Sequence, residues 1–376
     1  MLKRALTIYK TAGKTFGVWG SLLITGIFMS LLRMVVICGV ALDKLFYPKV
    51  VNQPIKNPIV IVGNPRSGTT FLHRFFVKNN LAAGSQLWQM MFSSILLGKI
   101  IKPFLPLLEK VSPTRYHSSA AHKTSLQSVE TDDASLLFRY LDGFFIYGFF
   151  LAWAEEDLFH WVDPKVRNTA NRDYEWLQGM WSRSLYRNGH NRYVGKLFSA
   201  SANMNSLLNF FPDSKVLYMV RDPLQVIPSG LSLVTGVLDK RFGFWSLPED
   251  KRSLYLNRLY KALVELLLRF HTDWVDGTID RSRVKIVTFN RLMSDFDNLM
   301  NETLEFLNIE PSAELTSEIT ATGEKQKQYK SGHSYNLDKF GLTEEQIQKD
   351  CKVIYDTFLK PNSSDSHITE KDIGIA

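Results

Sequence analysis

Cysteine is nearly missing from this chain: its 376 residues contain two, Cys38 and Cys351. Two thiols so far apart cannot build a disulfide framework, and neither sits in a zinc-ligand spacing, so reducing surroundings are the default and no metal is expected. No internal repeat is visible, which argues against a solenoid. Basic blocks are missing as well. Lys and Arg outnumber Asp and Glu by 45 to 37, but the net charge of +8 is dispersed and no nucleic-acid motif accompanies it. Nucleic acid is therefore not expected as a partner. The excess suits a basic cleft for a multiply charged small molecule, with attraction to anionic lipid in addition. No small-residue cleavage site follows the apolar N-terminal stretch, so a removable signal peptide is not expected. What remains is a chain with 45% hydrophobic and 12% aromatic residues, enough for one large α/β domain plus appendages.

The most informative stretch runs from Ile59 to Phe76, I-V-I-V-G-N-P-R-S-G-T-T-F-L-H-R-F-F. A β-branched apolar run (Ile59 to Val62) enters a Gly/Pro/Ser turn (Gly63 to Gly68), hydroxyls follow at Thr69 and Thr70, and a helical pattern begins. This predicts strand, anion-cradling loop and helix, with backbone N–H groups and the positive end of the helix dipole aimed at an anion. The nucleotide-binding P-loop is nearly matched, but Thr69 stands where its lysine belongs. Arg66 is the cation of the loop. An anion is expected here, but not the β/γ-phosphates of a nucleoside triphosphate.

A second buried-strand pattern, Lys215 to Val220, ends in Arg221-Asp222-Pro223, with Ser229 eight residues after Arg221. A P-loop NTPase places its magnesium-binding aspartate at such a strand end. Here an arginine comes first. A guanidinium fork and a hydroxyl suit a phosphate monoester without metal. Two anion sites on neighbouring strands imply a ligand that is anionic at both ends.

Together these motifs resemble the sulfotransferase family that uses 3′-phosphoadenosine-5′-phosphosulfate (PAPS). Pro65-Arg66-Ser67-Gly68-Thr69-Thr70 is similar to the loop that holds the 5′-phosphosulfate, and Arg221-Asp222-Pro223 with Ser229 to the segment that holds the 3′-phosphate. Phe211-Pro212-Asp213-Ser214-Lys215 before the second strand, Lys196, and the tail His333-Ser334-Tyr335-Asn336-Leu337 to Phe340-Gly341-Leu342 extend the likeness to the microbial branch, over about Ile59 to Phe358. The resemblance implies PAPS as co-substrate, no metal, and cofactor contacts from Arg66, Ser67, Gly68, Thr69, Thr70, Arg221 and Ser229. It also implies a catalytic role for Arg66 at the sulfuryl group.

Sulfuryl transfer to an alcohol or amine needs a base near the attacking atom. His122 and Glu130 stand in H-K-T-S-L-Q-S-V-E-T-D-D, which resembles the branch's H-P-x-x-x-x-x-P-E-E-D segment in spacing, except that Val129 and Thr131 replace its proline and second glutamate. Glu130 is the leading base candidate and His122 the second. Gln89 stands where a Trp-Glu pair is frequent in relatives and cannot act as a base. His73 reads as a packing or capping residue, and His117 has no matched role. Phe144 to Trp153 is unusually aromatic: ordinary helix core is the first reading and an apolar acceptor pocket the second. Lys325, Lys327 and Lys330 form either a solvated face or part of a basic loop closing over the nucleotide. The sequons at Asn301 and Asn362 establish no compartment.

The N-terminus differs from the rest. Lys3, Arg4, Lys10 and Lys14 precede Phe16 to Leu42, which is apolar apart from Arg33. The uncharged part falls short of the ~20 residues that span a bilayer, and extending past Arg33 places a charge costing ~3 kcal/mol or more at mid-bilayer. Three readings stay open: a signal-anchor helix, an in-plane or re-entrant membrane helix, or a buried helix of the domain. Membrane association is expected, with the catalytic domain in the cytoplasm or, alternatively, in the Golgi lumen. A proline-containing linker, Asp43 to Pro58, would hold that domain against the bilayer, so a small-molecule or lipid-like acceptor is expected.

The expected fold is α/β and P-loop-like, a parallel sheet with helices on both faces and an N-terminal hydrophobic helix. Strands are predicted at Ile59–Val62, Lys215–Val220 and Val284–Phe289, and a long helix over Arg252 to Val275. The expected division is a membrane-associated segment over residues 1–50 and a sulfotransferase domain over residues 51–376. Two other classes remain: a P-loop kinase or NTPase, which requires Mg²⁺-dependent ATP binding, and a non-catalytic membrane scaffold, which requires no affinity for the nucleotide product.

Overall fold

In a computed structural model the described residues are 1–112, 124–328 and 336–360. Four parallel strands form one sheet in the order β2–β1–β3–β4: β1 (Ile59–Val62), β2 (Val194–Lys196), β3 (Lys215–Val220) and β4 (Val284–Thr288). Ile59 pairs with Val194 on one side and Lys215 on the other, and Val216 pairs with Val284. The principal helices are α1 (Leu2–Phe16), α2 (Trp19–Phe46), α3 (Thr69–Lys78), α4 (Ile95–Ile101), α5 (Asp133–Tyr140), α6 (Phe144–Phe149), α7 (Ala170–Asn188), α8 (Pro223–Phe242), α9 (Glu249–Val275), α10 (Phe296–Phe306) and α11 (Ala313–Gln328).

The strands read as continuous apolar runs because both faces of the sheet are covered. Successive side chains point to opposite faces. Val60, Val62, Val216, Tyr218 and Val220 join a core built with α7, α8 and α9, while Ile59, Ile61, Leu217 and Met219 join a second core with α3 and α10. Tyr218 lies stacked on Phe270 of α9. The expected sheet with helices on both faces is therefore present, and three of its strands lie where the apolar runs placed them.

Two details differ from the sequence reading. The edge strand β2 was not anticipated: Val-Gly-Lys carries one apolar residue, and its extended form comes from pairing with Ile59, Val60 and Ile61. A side chain at Gly195 would meet Trp181 at 2.8 Å, so the close seating of β2 on α7 needs a glycine. The fourth strand ends at Thr288 rather than Phe289, which opens a short helix, Phe289–Ser294.

Phe16 closes α1, and the rest of the N-terminal apolar segment from Trp19 lies in one helix, α2, of 28 residues, long and apolar enough to cross a membrane. It ends before Pro48, which opens the short helix Pro48–Val51 inside the linker. Helices α5 and α6 meet at a 74° bend. Leu141 and Gly143 take positive φ values of 53° and 90° there, closing one helix and opening the next.

Candidate active site

The loop after β1 is shaped by two glycines. Gly63 has φ 146°, and a Cβ on it would stand 2.5 Å from the carbonyl oxygen of Met219, so the chain passes β3 only without a side chain. Gly68 (φ 93°) precedes α3, and a Cβ there would meet Leu292 at 2.8 Å. Between them Arg66 itself takes φ 79°, an uncommon value for a non-glycine residue and one that concentrates at ligand sites. Asn64 anchors the turn by donating to the Leu263 carbonyl at 2.9 Å, and the buried Ser67 hydroxyl donates to the Asn64 carbonyl at 2.7 Å. Thr69 and Thr70 form the first turn of α3, whose leading N–H groups have no intrahelical acceptor.

β3 runs beside β1, so its carboxyl end delivers Arg221 to the same place. Arg221 Nη1 donates to the Arg66 carbonyl at 2.8 Å, its Nε and Nη2 donate to Gln225 Oε1, and its guanidinium lies 4.1 Å from the centre of the Phe289 ring. Arg66 Nε donates to the buried Ser229 Oγ at 3.1 Å. The two sequence motifs thus become one cluster, with the Arg66 guanidinium on the Ser229 side of the loop. Asp222 is occupied otherwise: it caps α8 by accepting from Leu224 N at 2.9 Å and accepts from the Tyr355 hydroxyl at 2.7 Å. That is the position a magnesium ligand would need in an NTPase.

On the other flank, the end of β2 delivers Lys196. Its ammonium is buried, donates to Thr70 Oγ1 at 3.0 Å and stands 3.8 Å from Glu130 Oε2. Burial lowers its pKa, and Glu130 opposes the shift. Glu130 is buried too, accepting from Arg74 of α3 at 3.0 Å and from Ser128 at 2.9 Å. A chain of contacts therefore runs from the loop hydroxyl through an ammonium to a carboxylate.

Sequence reasoning passed over the two carboxylates that set this geometry. Asp132 accepts from the Lys196 backbone N–H and the Tyr193 hydroxyl, both at 2.9 Å, and its own N–H donates to the Lys196 carbonyl. Burial pushes its carboxyl up to about 7. Asp133 accepts from Phe198 N and Thr131 Oγ1, and burial raises it as well. The signal was present in the run T-D-D that follows Glu130.

Other named residues fall as follows. His73 is wholly buried against the Val194 carbonyl at 3.1 Å, with no partner for Nδ1 among the described residues, and burial drives its pKa down to about 3, so it is neutral and enclosed. Gln89 accepts from Gln86 N at 2.9 Å in a capping box. Lys325 and Lys327 lie on the last turn of α11, where Lys327 pairs with Glu324. His117, His122, Lys330 and His333 to Tyr335 lie outside the described residues.

The aromatic run divides. Ile146, Tyr147 and Gly148 are buried core, with the Tyr147 hydroxyl on Asp157, and Trp153 stacks on Tyr255 at 4.0 Å. Phe144, Phe145, Phe149 and Phe150 are half-buried, and Phe145 lies edge-on to Phe198 at 5.1 Å. Phe198 follows Lys196 by two residues, so this apolar wall borders the polar site.

The glycine-bounded loop after one parallel strand and the arginine after the next lie at the carboxyl edge of the sheet, where open α/β sheets bind their ligands. The sulfotransferase family model matches residues 58–313, and the chain belongs to that family. Its fold is similar to sulfotransferase STF9 from Mycobacterium avium, with 17% identity over 85% of this chain and 81% of that one and a TM-score of 0.65. It is also similar to sulfotransferase STF1 from Mycobacterium tuberculosis H37Rv, with 18% identity over 93% and 91% of the two chains and the same TM-score, 0.65. A comparison with the curated proteins finds no match.

Proposed function

We propose that this chain transfers the sulfuryl group of PAPS to the hydroxyl, or amine, of an amphiphilic acceptor. The observation that carries the reading is that two contact sets, Ser229–Arg66–Arg221 and Thr70–Lys196–Glu130, arise from the ends of adjacent parallel strands and from the loop and helix after β1. Arg221 and Ser229 suit the 3′-phosphate. The backbone of Ser67, Gly68, Thr69 and Thr70 suits the 5′-phosphosulfate. Arg66 stands between them, its Nε on Ser229 and its other N–H groups assigned to the sulfuryl group or bridging oxygen. Charge develops on that oxygen as the S–O bond breaks.

In this mechanism the acceptor oxygen attacks sulfur in line, and its proton passes to Glu130. The S–O bond to the 5′-phosphate breaks, and 3′-phosphoadenosine 5′-phosphate leaves. Lys196 offsets negative charge at the reacting group and stands 3.8 Å from Glu130 Oε2. The half-buried phenylalanines beside Phe198 form the acceptor wall, which favours an apolar body carrying a hydroxyl. Residues 1–50 are assigned to membrane attachment and residues 51–376 to transfer, with the domain on the cytoplasmic side.

Calorimetry with 3′-phosphoadenosine 5′-phosphate and with ATP, each with and without Mg²⁺, tests the reading. Metal-independent binding of the first, with ATP weaker, is expected. Mg²⁺-dependent ATP binding would point to an NTPase-like protein, and no binding of either to a scaffold.

A further inference from the structure

Helix α2 is apolar along its length, yet its second half, from Arg33 onward, is fastened to the folded domain, while residues 23–28 are exposed. Near its start, Arg241 of α8 donates to Ser21 Oγ at 3.3 Å. At the middle, Arg33 donates to the Phe138 carbonyl of α5 at 2.6 Å, and Val36 is buried. Further on, Gly39 packs so closely on α4 that a Cβ would meet Leu97 at 2.7 Å. At the end the buried Asp43 accepts from Ser94 Oγ, Ile95 N and Leu96 N and pairs with Arg183 at 2.9 Å. At 100° per residue, Ser21, Val36, Gly39 and Asp43 fall within about 60° of arc, with Arg33 about 60° outside it. The opposite arc carries Ile24, Ile27, Leu31, Met34, Leu42 and Leu45, all exposed.

A helix that crosses a bilayer is surrounded by lipid at mid-depth. Here the middle of α2 is held by Arg33 against a domain helix, with Arg139 close enough for its like charge to act on it. Crossing would draw that polar neighbourhood into hydrocarbon or require the fastenings to break. Lying flat requires neither. Charge points the same way. The first 57 residues hold eight Lys or Arg side chains and one acidic residue, Asp43, which is buried with Arg183. Lys99, in the last turn of α4, and Lys102, which follows it, are exposed in the segment whose Ile100, Phe104 and Leu107 are exposed apolar residues. Exposed apolar residues accompanied by basic ones suit the interface of an anionic leaflet.

We infer that α2 and the exposed 100–107 segment form a monotopic surface that lies in the plane of one anionic leaflet, with α2 parallel to the bilayer rather than through it. The inference rests on the membrane association proposed above and is independent of sulfuryl transfer.

Depth measurement tests it on the full-length chain. In a Cys38→Ser background, where the remaining Cys351 is buried, Ile24→Cys, Leu31→Cys and Leu45→Cys each take an environment-sensitive fluorophore. The probes are read on phosphatidylcholine vesicles with and without phosphatidylglycerol, using lipid-attached quenchers at two depths. From Ile24 to Leu45 the helix rises about 32 Å, more than the whole ~30 Å hydrocarbon core. Three equal, shallow depths are expected, with binding that needs phosphatidylglycerol and weakens in salt. A deepest Leu31 probe between two shallow ones would overturn the in-plane inference and leave membrane association standing. Absence of vesicle binding would overturn both, while nucleotide binding, measured separately, still reports on the transfer site.

Discussion

Replacing Glu130 with glutamine removes the assigned base while keeping its size and one acceptor oxygen for Ser128. A positioned general base contributes about 10²–10⁴ in rate, so turnover of Glu130→Gln should fall by that factor. The structural cost is separable. A charge pair at the observed 3.8 Å between Lys196 and Glu130 has a gross Coulomb energy of about 4 kcal/mol at an effective dielectric of about 20. The glutamine variant also leaves the buried Lys196 without that counter-charge, but it keeps the hydrogen bonds and volume of the site, so it should lose less stability than the alanine variant. Glu130→Ala, which strands Lys196, should lose about 3–5 kcal/mol. Release of 3′-phosphoadenosine 5′-phosphate, followed at saturating PAPS with an amphiphilic alcohol, reads kcat, and thermal unfolding reads stability. The pH profile adds a sign. Glu130 raises the Lys196 pKa against burial, so without its charge Lys196 loses its proton more readily and the alkaline limb should move to lower pH. Turnover within a few-fold of the parent, with a normal KM for PAPS, would refute Glu130 as the base.

Arg66→Ala should lower turnover on the order of 10²-fold or more, as for other preorganised donors, and a few-fold change in a single-turnover assay would refute its assignment. Arg221→Ala should lose most of the preference for PAPS over adenosine 5′-phosphosulfate in competition binding; an unchanged preference would move the 3′-phosphate elsewhere. His73→Gln should flatten the acid limb of stability. The buried imidazole titrates at about 3 rather than 6.5, so the unfolded chain binds the extra proton between these values and stability is lost as pH falls through that window. Fully realised, that loss is on the order of 5 kcal/mol, and an unchanged unfolding midpoint from pH 6.5 to 4 in parent relative to variant would remove this account.

The parts of the fold that were legible in the sequence are those where local pattern and tertiary role coincide. Ile59–Val62 and Lys215–Val220 are apolar on both faces because they are central strands, and a Gly/Pro turn follows one and an Arg-Asp-Pro turn the other. The edge strand carries no such signature: Val194–Lys196 is held extended by β1 and by the Asp132 carboxylate, a contact across 64 residues. For the same reason the neighbours of Lys196 in the chain do not mark it as buried. Its burial is a property of Thr70 and Glu130 arriving from other elements, not of its neighbours in the chain. Arg66 and Ser229 were each singled out by motif, but their contact spans 163 residues and follows only from β1 lying beside β3.

Helix α2 was the hardest part to read, because a run of apolar residues registers how much of a helix is apolar and not which side faces what. Over Phe16 to Leu42 the sequence supplies enough apolar residues for a span and a single charge against it. The deciding information lies in residues that barely change that tally: a serine, a glycine, an arginine and an aspartate spaced along one arc. Each meets a partner far along the chain, Ser21 with Arg241, Arg33 with Phe138, and Asp43 with Arg183. Polar residues scattered along an otherwise apolar helix dilute a hydropathy signal only slightly, but when they share a face they specify docking. Over its second half such docking commits one face of the helix to the domain and leaves the opposite face available to lipid.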